Sequence, residues 1–295
     1  MKWGATLLLV LGLIVVFYMT RDEEQRNQTA PTSEVIVYGF DVGQGDSTFI
    51  QTKTETILID GGNNGKGDDV VRYLKTLGVT RLTALIATHP DADHIGGLDT
   101  VLDAFEVEQV YAPRINHTTE TYRDFLLAVK REGVTIKTAK AGVTIPSQSV
   151  DLAILAPLQD GTSDLNSWSA VVRMSHVDNT FLFMGDAPVR TEQDLLASGI
   201  DVKTDILKIG HHGADTSSSI PFLQAVHPSR ALISAGEGNA YRHPRPTVMN
   251  ALAAESIHVD RTDRMGTVQY TSNGQTIQVK SRTDLRPFQR RGYTF

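Results

Sequence analysis

The chain has 295 residues, a net charge of −6 at pH 7, ordinary apolar and charged fractions, and no cysteine. Without cysteine there is no disulfide framework, no zinc–thiolate site and no cysteine nucleophile, so any metal must be held by histidine, carboxylate and weaker oxygen donors. The acidic balance excludes a generally basic nucleic-acid surface, although divalent cations in a site offset carboxylates locally.

Residues 1–30 differ from everything after them. Lys2 precedes an apolar run from Ala5 to Met19, and the charged stretch Arg21 to Arg26 follows. With Trp3 and Gly4 the segment reaches about 17 residues, the short end of what spans a bilayer. A secretory signal opens the same way, but small residues at cleavage spacing are missing after Met19, and Pro31 follows Ala30. Residues 1–20 therefore read as a signal anchor in preference to a cleaved signal peptide, and residues 21–33 as a linker. The usual orientation for such a start gives a single-pass membrane protein with an extracytoplasmic domain, or a secreted one if the start is cleaved.

From Glu34 the pattern turns strand-rich, then mixed. Val35–Phe40, Ser47–Gln51 and Thr56–Ile59 are short β-branched or aromatic runs between glycine-rich turns. Asp68–Leu77 has helical spacing, Leu82–Ala87 reads as a buried strand and Leu98–Phe105 as a helix. Val107–Tyr111 is a strand, and Thr121–Arg131 a helix with Tyr122, Phe125, Leu126 and Val129 inward. A second alternation begins with Val150–Leu155, Ala170–Met174 and Thr180–Met184. It continues through Glu192–Leu196, Ile206–Ile209, Ile220–Val226, Ala231–Ser234 and Val248–Ala254. Thr267–Tyr270 and Thr276–Val279 close it as a hairpin around Asn273-Gly274. Two halves, each sheet then helices, predict one α/β domain over residues 34–281: two sheets covered by outer helices. A basic tail over 282–295 carries Arg282, Arg286, Arg290 and Arg291, with Phe288 and Tyr293 available to stack on bases.

The chemistry gathers where strands end, which is where open α/β sheets place ligands. After Leu82–Ala87 come His89, Asp91, Asp93 and His94, four metal-type side chains within six residues, and Gly96-Gly97 then open a helix. Alternate residues of such a turn point into one cavity, while Asp93 and His94 diverge toward a neighbouring point. That suits two divalent ions. Asp41 to Ser47 follows the first strand, and Gln44, Asp46 and Ser47 offer hydrogen-bonding groups there. Asp60 follows the third strand, placed to orient the ligand turn. Asn166, Ser167 and Ser169 precede a strand. Asp186 ends one, in position to bridge two metals. His211-His212 follow another, and Thr216–Ser219 then introduce a helix whose N-terminal amides can receive an anion. Tyr241-Arg242-His243-Pro244 come after the Ala231–Ser234 run.

Together these motifs resemble the metallo-β-lactamase superfamily. The family's His-x-His-x-Asp-His stands here as His89-Pro-Asp91-Ala-Asp93-His94, with Asp91 in place of the second histidine. That change resembles the soluble metallo-β-lactamase-like domain of ComEC-type DNA-uptake proteins. So do Phe-Asp-Val-Gly-Gln-Gly-Asp-Ser at 40–47, Leu-Asn-Ser-Trp-Ser at 165–169, Met-Gly-Asp at 184–186 and Ile-Gly-His-His-Gly at 209–213, along with the stretches 234–239 and 241–244.

The resemblance implies a four-layer αββα sandwich and a hydrolase with two divalent ions, zinc or manganese. His89 and Asp91 would serve the first ion. Asp93, His94 and one of His211 or His212 would serve the second, with Asp186 bridging. Asn166 or Ser169 stands where the first position usually has another histidine, so that position is softer and richer in oxygen donors. Asp93, Asp186, His243 and Ser47 are the expected catalytic residues, with Asp46, Asp60 and Ser217 supporting ligands or contacting phosphate. The implied activity is a metal-dependent phosphodiesterase acting on DNA, with the membrane as the other partner and no obligate protein partner. Two alternatives remain: a cell-surface phosphoester hydrolase of phosphorylcholine-esterase type, and a non-catalytic DNA-binding competence accessory module.

Overall fold

A computed structural model describes residues 34–159 and 163–287. The expected signal anchor and linker lie outside the described residues, as do Phe288, Arg290, Arg291 and Tyr293. In chain order the first part contains β1 (Val35–Gly39), β2 (Thr48–Gln51), β3 (Thr56–Ile59), a helix Gly67–Thr76, β4 (Arg81–Leu82) and β5 (Ala84–Ile86). Short helices Ala92–Ile95 and Leu98–Ala104 follow, then β6 (Glu106–Val107), β7 (Val110–Ala112), a helix Glu120–Glu132 and β8 (Ile136–Thr138). The second part holds β9 (Val143–Ile145), β10 (Asp151–Ala156), β11 (Val171–His176), β12 (Asn179–Phe183), a helix Val189–Ser198 and β13 (Ile206–Lys208). Helix Ile220–Val226, β14 (Arg230–Ile233), helix Pro246–Ala254, β15 (His258–Arg261), a turn of helix Thr262–Met265, β16 (Thr267–Ser272) and β17 (Ile277–Arg282) complete it.

Strand side chains alternate between faces, and that alternation defines the layers. Val35 and Val37 of β1 enter one core while Tyr38, and Phe40 just past the strand, enter another. Ile57 and Ile59 of β3 part from Leu58 in the same way, as Ala84 and Ile86 of β5 part from Leu85. In the other sheet Phe181 and Phe183 of β12 share the central core with β1, β3 and β5, while Leu182 turns outward. Each sheet is thus buried on both faces. The central core fills the space between the sheets, and the two outer cores lie under helices: Gly67–Thr76, Leu98–Ala104 and Glu120–Glu132 on one side, Val189–Ser198, Ile220–Val226 and Pro246–Ala254 on the other. This is the expected αββα sandwich.

The first sheet has eight strands in the order β17-β16-β1-β2-β3-β5-β7-β8, and the second has seven, β15-β14-β13-β12-β11-β10-β9. The β16–β17 hairpin therefore returns to the first sheet, with Val35 opposite Ser272 and Gly39 opposite Val268. The packing continues past residue 281. β17 runs through Arg282, and Leu285 is fully buried in the outer core. Arg282 pairs with Asp284 at 2.6 Å, and the Arg286 carbonyl accepts from Arg72.

Two expected strands divide. Leu82–Ala87 breaks at Thr83, whose amide turns to the Thr56 carbonyl, so β4 pairs with β6 in a separate ribbon while β5 joins the main sheet. Val107–Tyr111 divides into β6 and β7 at the matching point. On helix Glu120–Glu132, Leu126 faces solvent rather than the core, and Ala128 packs inward instead. Phe181 sits in the central core against Phe183 and Tyr270 with no exposed surface. Phe181→Ala is expected to cost about 3–5 kcal/mol in urea denaturation, whereas Leu126→Ala stays within about 0.5 kcal/mol.

Candidate metal centre

The loops after β1, β3, β5, β12, β13 and β14 carry Asp46, Asp60, His89 to His94, Asp186, His211-His212 and His243. Parallel pairing of β3 with β5, and of β12 with β13 and β14, brings the ends of those strands to one rim. The loops interlock through their backbones. The Asp46 amide donates to the Asp93 carbonyl at 3.0 Å and the Gly61 amide to the His94 carbonyl at 2.7 Å. Gly45 makes this docking possible: its φ is +136°, and a Cβ there would lie 2.3 Å from the Asp93 carbonyl oxygen. Only glycine fits. Gly97 is equally confined, with a Cβ position 2.2 Å from the Gly61 carbonyl.

At the centre lies the buried carboxylate of Asp186. Four imidazoles turn Nε2 toward it: His94 at 3.1 Å, His212 at 3.6 Å, His211 at 3.7 Å and His89 at 3.9 Å. Each ring is aimed through its Nδ1 atom, the arrangement that orients metal-binding histidines. His94 Nδ1 lies 2.7 Å from Asp60 Oδ2. Asp60 also accepts the Thr88 amide at 2.8 Å and the Thr88 hydroxyl at 2.7 Å. With its proton given to Asp60, the Thr88 oxygen accepts from His89 Nδ1 at 3.0 Å. One carboxylate thus aims two rings, one directly and one through a threonine. His212 Nδ1 donates to the Ser234 carbonyl at 3.1 Å, and His211 Nδ1 lies 2.8 Å from the Thr216 hydroxyl. Asp93 Oδ2 sits 3.2 Å from His212 Nε2, and Asp91 Oδ2 sits 3.5 Å from His89 Nε2. Asp91 is about one-third exposed, and it marks the open side.

This donor set fits a metal. His89 Nε2, His94 Nε2 and Asp186 Oδ1 are buried without a hydrogen-bond partner; the His94–Asp186 approach is close but out of line. Buried polar atoms are normally satisfied, and a cation among these three would satisfy them together. One donor atom each from Asp46, His94, Asp186 and His212 falls within 4.8 Å of the others. Asp46, however, approaches His212 on its Nδ1 side, at 3.2 Å, and its other oxygen is held by the Lys208 ammonium at 2.6 Å. It braces the ring from behind.

The close charges shift the pKa values of these groups. Burial opposes charge on His94, but Asp186 and Asp60 hold its pKa well above the usual value. His212 is likewise raised against its burial, by Asp186 and Asp46, to about 10. Burial would raise Asp186, yet the charges of His94 and His212 hold it well below the carboxylate range. Asp93 is lowered against its burial by His212 and His94. His243 differs. Burial depresses it to about 4, helped by the charge on His212 and by the nearby His211, whose own pKa burial lowers, so its ring is neutral at pH 7. Its ring centre lies 5.7 Å from that of His211, and its Nδ1 is buried without a hydrogen-bond partner.

Several expected site residues occupy other positions. The Ser47 hydroxyl, expected to be catalytic, is fully buried and donates to the Asp60 carbonyl at 3.0 Å, which engages it in holding the Asp60 backbone. Ser169, expected as a weak ligand, accepts the Asp186 amide at 3.1 Å and fixes the backbone of that residue. Asn166 places its amide nitrogen 3.4 Å from His211 Nδ1, behind the ring rather than in front of it. Ser217 donates to the Gly210 carbonyl at 2.7 Å under the His211-His212 turn. The amides of Ser218 and Ser219 are not free for an external anion, because the buried Glu192 carboxylate receives both. Lys208, Thr88 and Glu192 also belong to the surroundings of the site, outside any of the motifs. A lysine inside the apolar run Ile206–Ile209, and a glutamate inside a helix whose neighbours face a core, are the signals that point to them.

The profile of the Metallo-beta-lactamase superfamily matches residues 40–237 of this chain. The chain belongs to that superfamily. The metallo-beta-lactamase domain is 32% identical over 257 residues to ComE operon protein 3 of Bacillus subtilis (strain 168), covering 81% of this chain and 33% of that protein. Recombination protein 2 of Haemophilus influenzae is 32% identical, with 84% and 30% covered. Competence protein ComA of Neisseria gonorrhoeae is 31% identical, with 83% and 33% covered. The chain thus spans about a third of the length of these relatives. Among solved structures, the metallo-beta-lactamase fold protein YhfI from Bacillus subtilis superposes with a TM-score of 0.53 at 10% identity, covering 83% of this chain and 99% of that one.

Two outcomes follow for this centre. The His212 pKa is raised from 6.5 to about 10, so its proton stabilises the metal-free fold below about pH 6.5 and this contribution fades as pH rises through 10. At pH 7 a metal must displace that proton. Titration calorimetry with Mn²⁺ or Zn²⁺ in buffers of different ionisation enthalpy should show release of about one proton or more, and tighter binding at pH 8 than at pH 6. Heats independent of buffer would contradict this. Lys208→Met leaves the Asp46 carboxylate buried without its cation and should cost about 3–5 kcal/mol in chemical denaturation.

Proposed function

We propose that this domain is a metal-dependent phosphodiesterase that cleaves DNA outside the cytoplasm. The reading rests on one observation above all, the four imidazoles directed at the buried Asp186 carboxylate. The similarity to proteins named for competence and recombination supports DNA as the substrate. The apolar run Ala5 to Met19 supports attachment to a membrane on the outer side.

In this reading two divalent ions would be held around Asp186. Asp93, His94 and His212 would hold one. His89 and Asp91 would hold the other, and His211, whose Nε2 lies 3.7 Å from the Asp186 carboxylate, is the ring available to supplement them where Asp91 and Asn166 provide no histidine. The oxygen-rich first position favours Mn²⁺ relative to an all-histidine site. Bound ions supply Lewis acidity that activates a water and neutralises charge on the phosphoryl group. The chain's own groups do the rest. Asp60 and Ser234 keep the ring tautomers fixed, Asp46 and Lys208 brace His212, and the neutral His243 is available to exchange a proton with water or leaving group.

The test is cleavage of plasmid and linear DNA by the full chain, stripped of metal and then loaded with Mn²⁺ or Zn²⁺. Asp186→Ala should lower the rate by more than roughly 100-fold, beyond the effect of losing a residue that only supports a ligand. Cleavage that persists in Asp186→Ala would overturn the reading. So would turnover of a phosphorylcholine ester with none of DNA.

A further inference from the structure

We propose that Tyr241 and Arg242 form a rim that holds a single DNA strand beside the metal centre, Tyr241 stacking on a base and Arg242 contacting the adjoining phosphate. The proposal rests on the phosphodiesterase reading and adds the feature that selects a polymer over a small ester. Tyr241 is 62% exposed, unusually open for so large a ring beside a polar cavity. It is not a loose side chain. Its ring lies 5.6 Å from the His243 ring at an interplanar angle of 24°, and His243 in turn approaches His211 and His212 at 5.7 and 6.4 Å. A stack therefore runs from solvent to the metal-site histidines.

The loop that carries this stack is held from several sides. Asn239 receives the His243 amide at 2.9 Å and donates to the carbonyls of His243 and Gly236 at 2.7 and 2.9 Å. The Arg245 amide donates to the Gly213 carbonyl at 2.8 Å, just past the His211-His212 pair. The Gly236 amide donates to the Gln44 side chain at 3.3 Å. A platform fixed in this way loses little entropy when it binds. Arg242 is exposed, has a left-handed backbone with φ of 58°, and forms no ion pair among the described residues. Its charged neighbours are Arg245, engaged with Asp215 at 3.6 Å, and Glu237, exposed on the same loop. Phosphate contact at this rim thus falls to Arg242.

The pairing of groups fits a nucleic-acid strand. Base and phosphate alternate along it, and an aromatic face next to a guanidinium matches one of each. A choline headgroup requires the opposite environment, aromatic faces without a competing cation. Arg242 therefore argues against that class of substrate.

Fluorescence anisotropy of the metal-free full chain decides the matter. The probes are a labelled single-stranded oligonucleotide and the same backbone with abasic sites. The unaltered chain should prefer the intact strand by roughly 5- to 100-fold. Tyr241→Ala should erase the preference, and Tyr241→Phe should keep it. Arg242→Ala should weaken both probes equally and reduce the salt slope by about one phosphate contact. If Tyr241→Ala retains the full preference, or the unaltered chain binds neither probe, the rim is overturned. Metal-loaded cleavage separates this from the broader reading. DNA cleavage with an undiminished preference in Tyr241→Ala sinks the rim alone, whereas Tyr241-dependent binding without cleavage under any metal sinks the phosphodiesterase and leaves the rim.

Discussion

Everything at this centre depends on the fixed direction of imidazole Nδ1 atoms. A histidine ring can present either nitrogen, and only the partner of the other nitrogen decides which. Here those partners are varied: the Asp60 carboxylate, the Thr88 hydroxyl, the Ser234 carbonyl and the Thr216 hydroxyl. Each belongs to a different loop or strand end, so the Nε2 atoms converge on Asp186 only when both sheets are correctly assembled. Aiming the ligands and closing the sandwich are one requirement.

That requirement explains the buried polar groups around the site. Asp60, Asp46, Lys208 and Glu192 are all enclosed, a costly placement unless each is paired. Asp60 satisfies Thr88 and His94, Asp46 satisfies Lys208, and Glu192 satisfies the amides that begin helix Ile220–Val226. The last pairing has a chemical result. The Ser218 and Ser219 amides, already occupied by an internal carboxylate, are not open to a phosphate.

The strand–turn–helix from Leu82 to Phe105 was legible because an apolar run, a dense set of ligands and paired glycines stand next to each other. The family motifs fixed the order of the remaining ligands. What stayed hidden was set by distant partners. Nothing local to Thr83 marks the point where one apolar run divides between two sheets, because the break is made by the Thr56 carbonyl. The place of β16 beside β1 depends on residues over two hundred positions apart. Ser47 and Ser169 sit in motifs that suggested contact with substrate or metal, but a hydroxyl both donates and accepts, and sequence does not reveal which way it turns. Leu126 fits a helical stripe by spacing alone, yet the ridge that reaches the core runs through Phe125, Ala128 and Val129.

The three apolar cores are built from strands and helices, while the ligands hang from loops at strand ends. Small metal-folded modules have no such cores, and they unfold when the ion is withdrawn. Here Asp91, Asn166 and Tyr241 themselves lie partly or fully exposed on the solvent side of the centre. A change at one of these three positions meets solvent first, whereas a change at Asp60, Ser234 or Thr216 disturbs the aim of a ring and the joint between strand ends together.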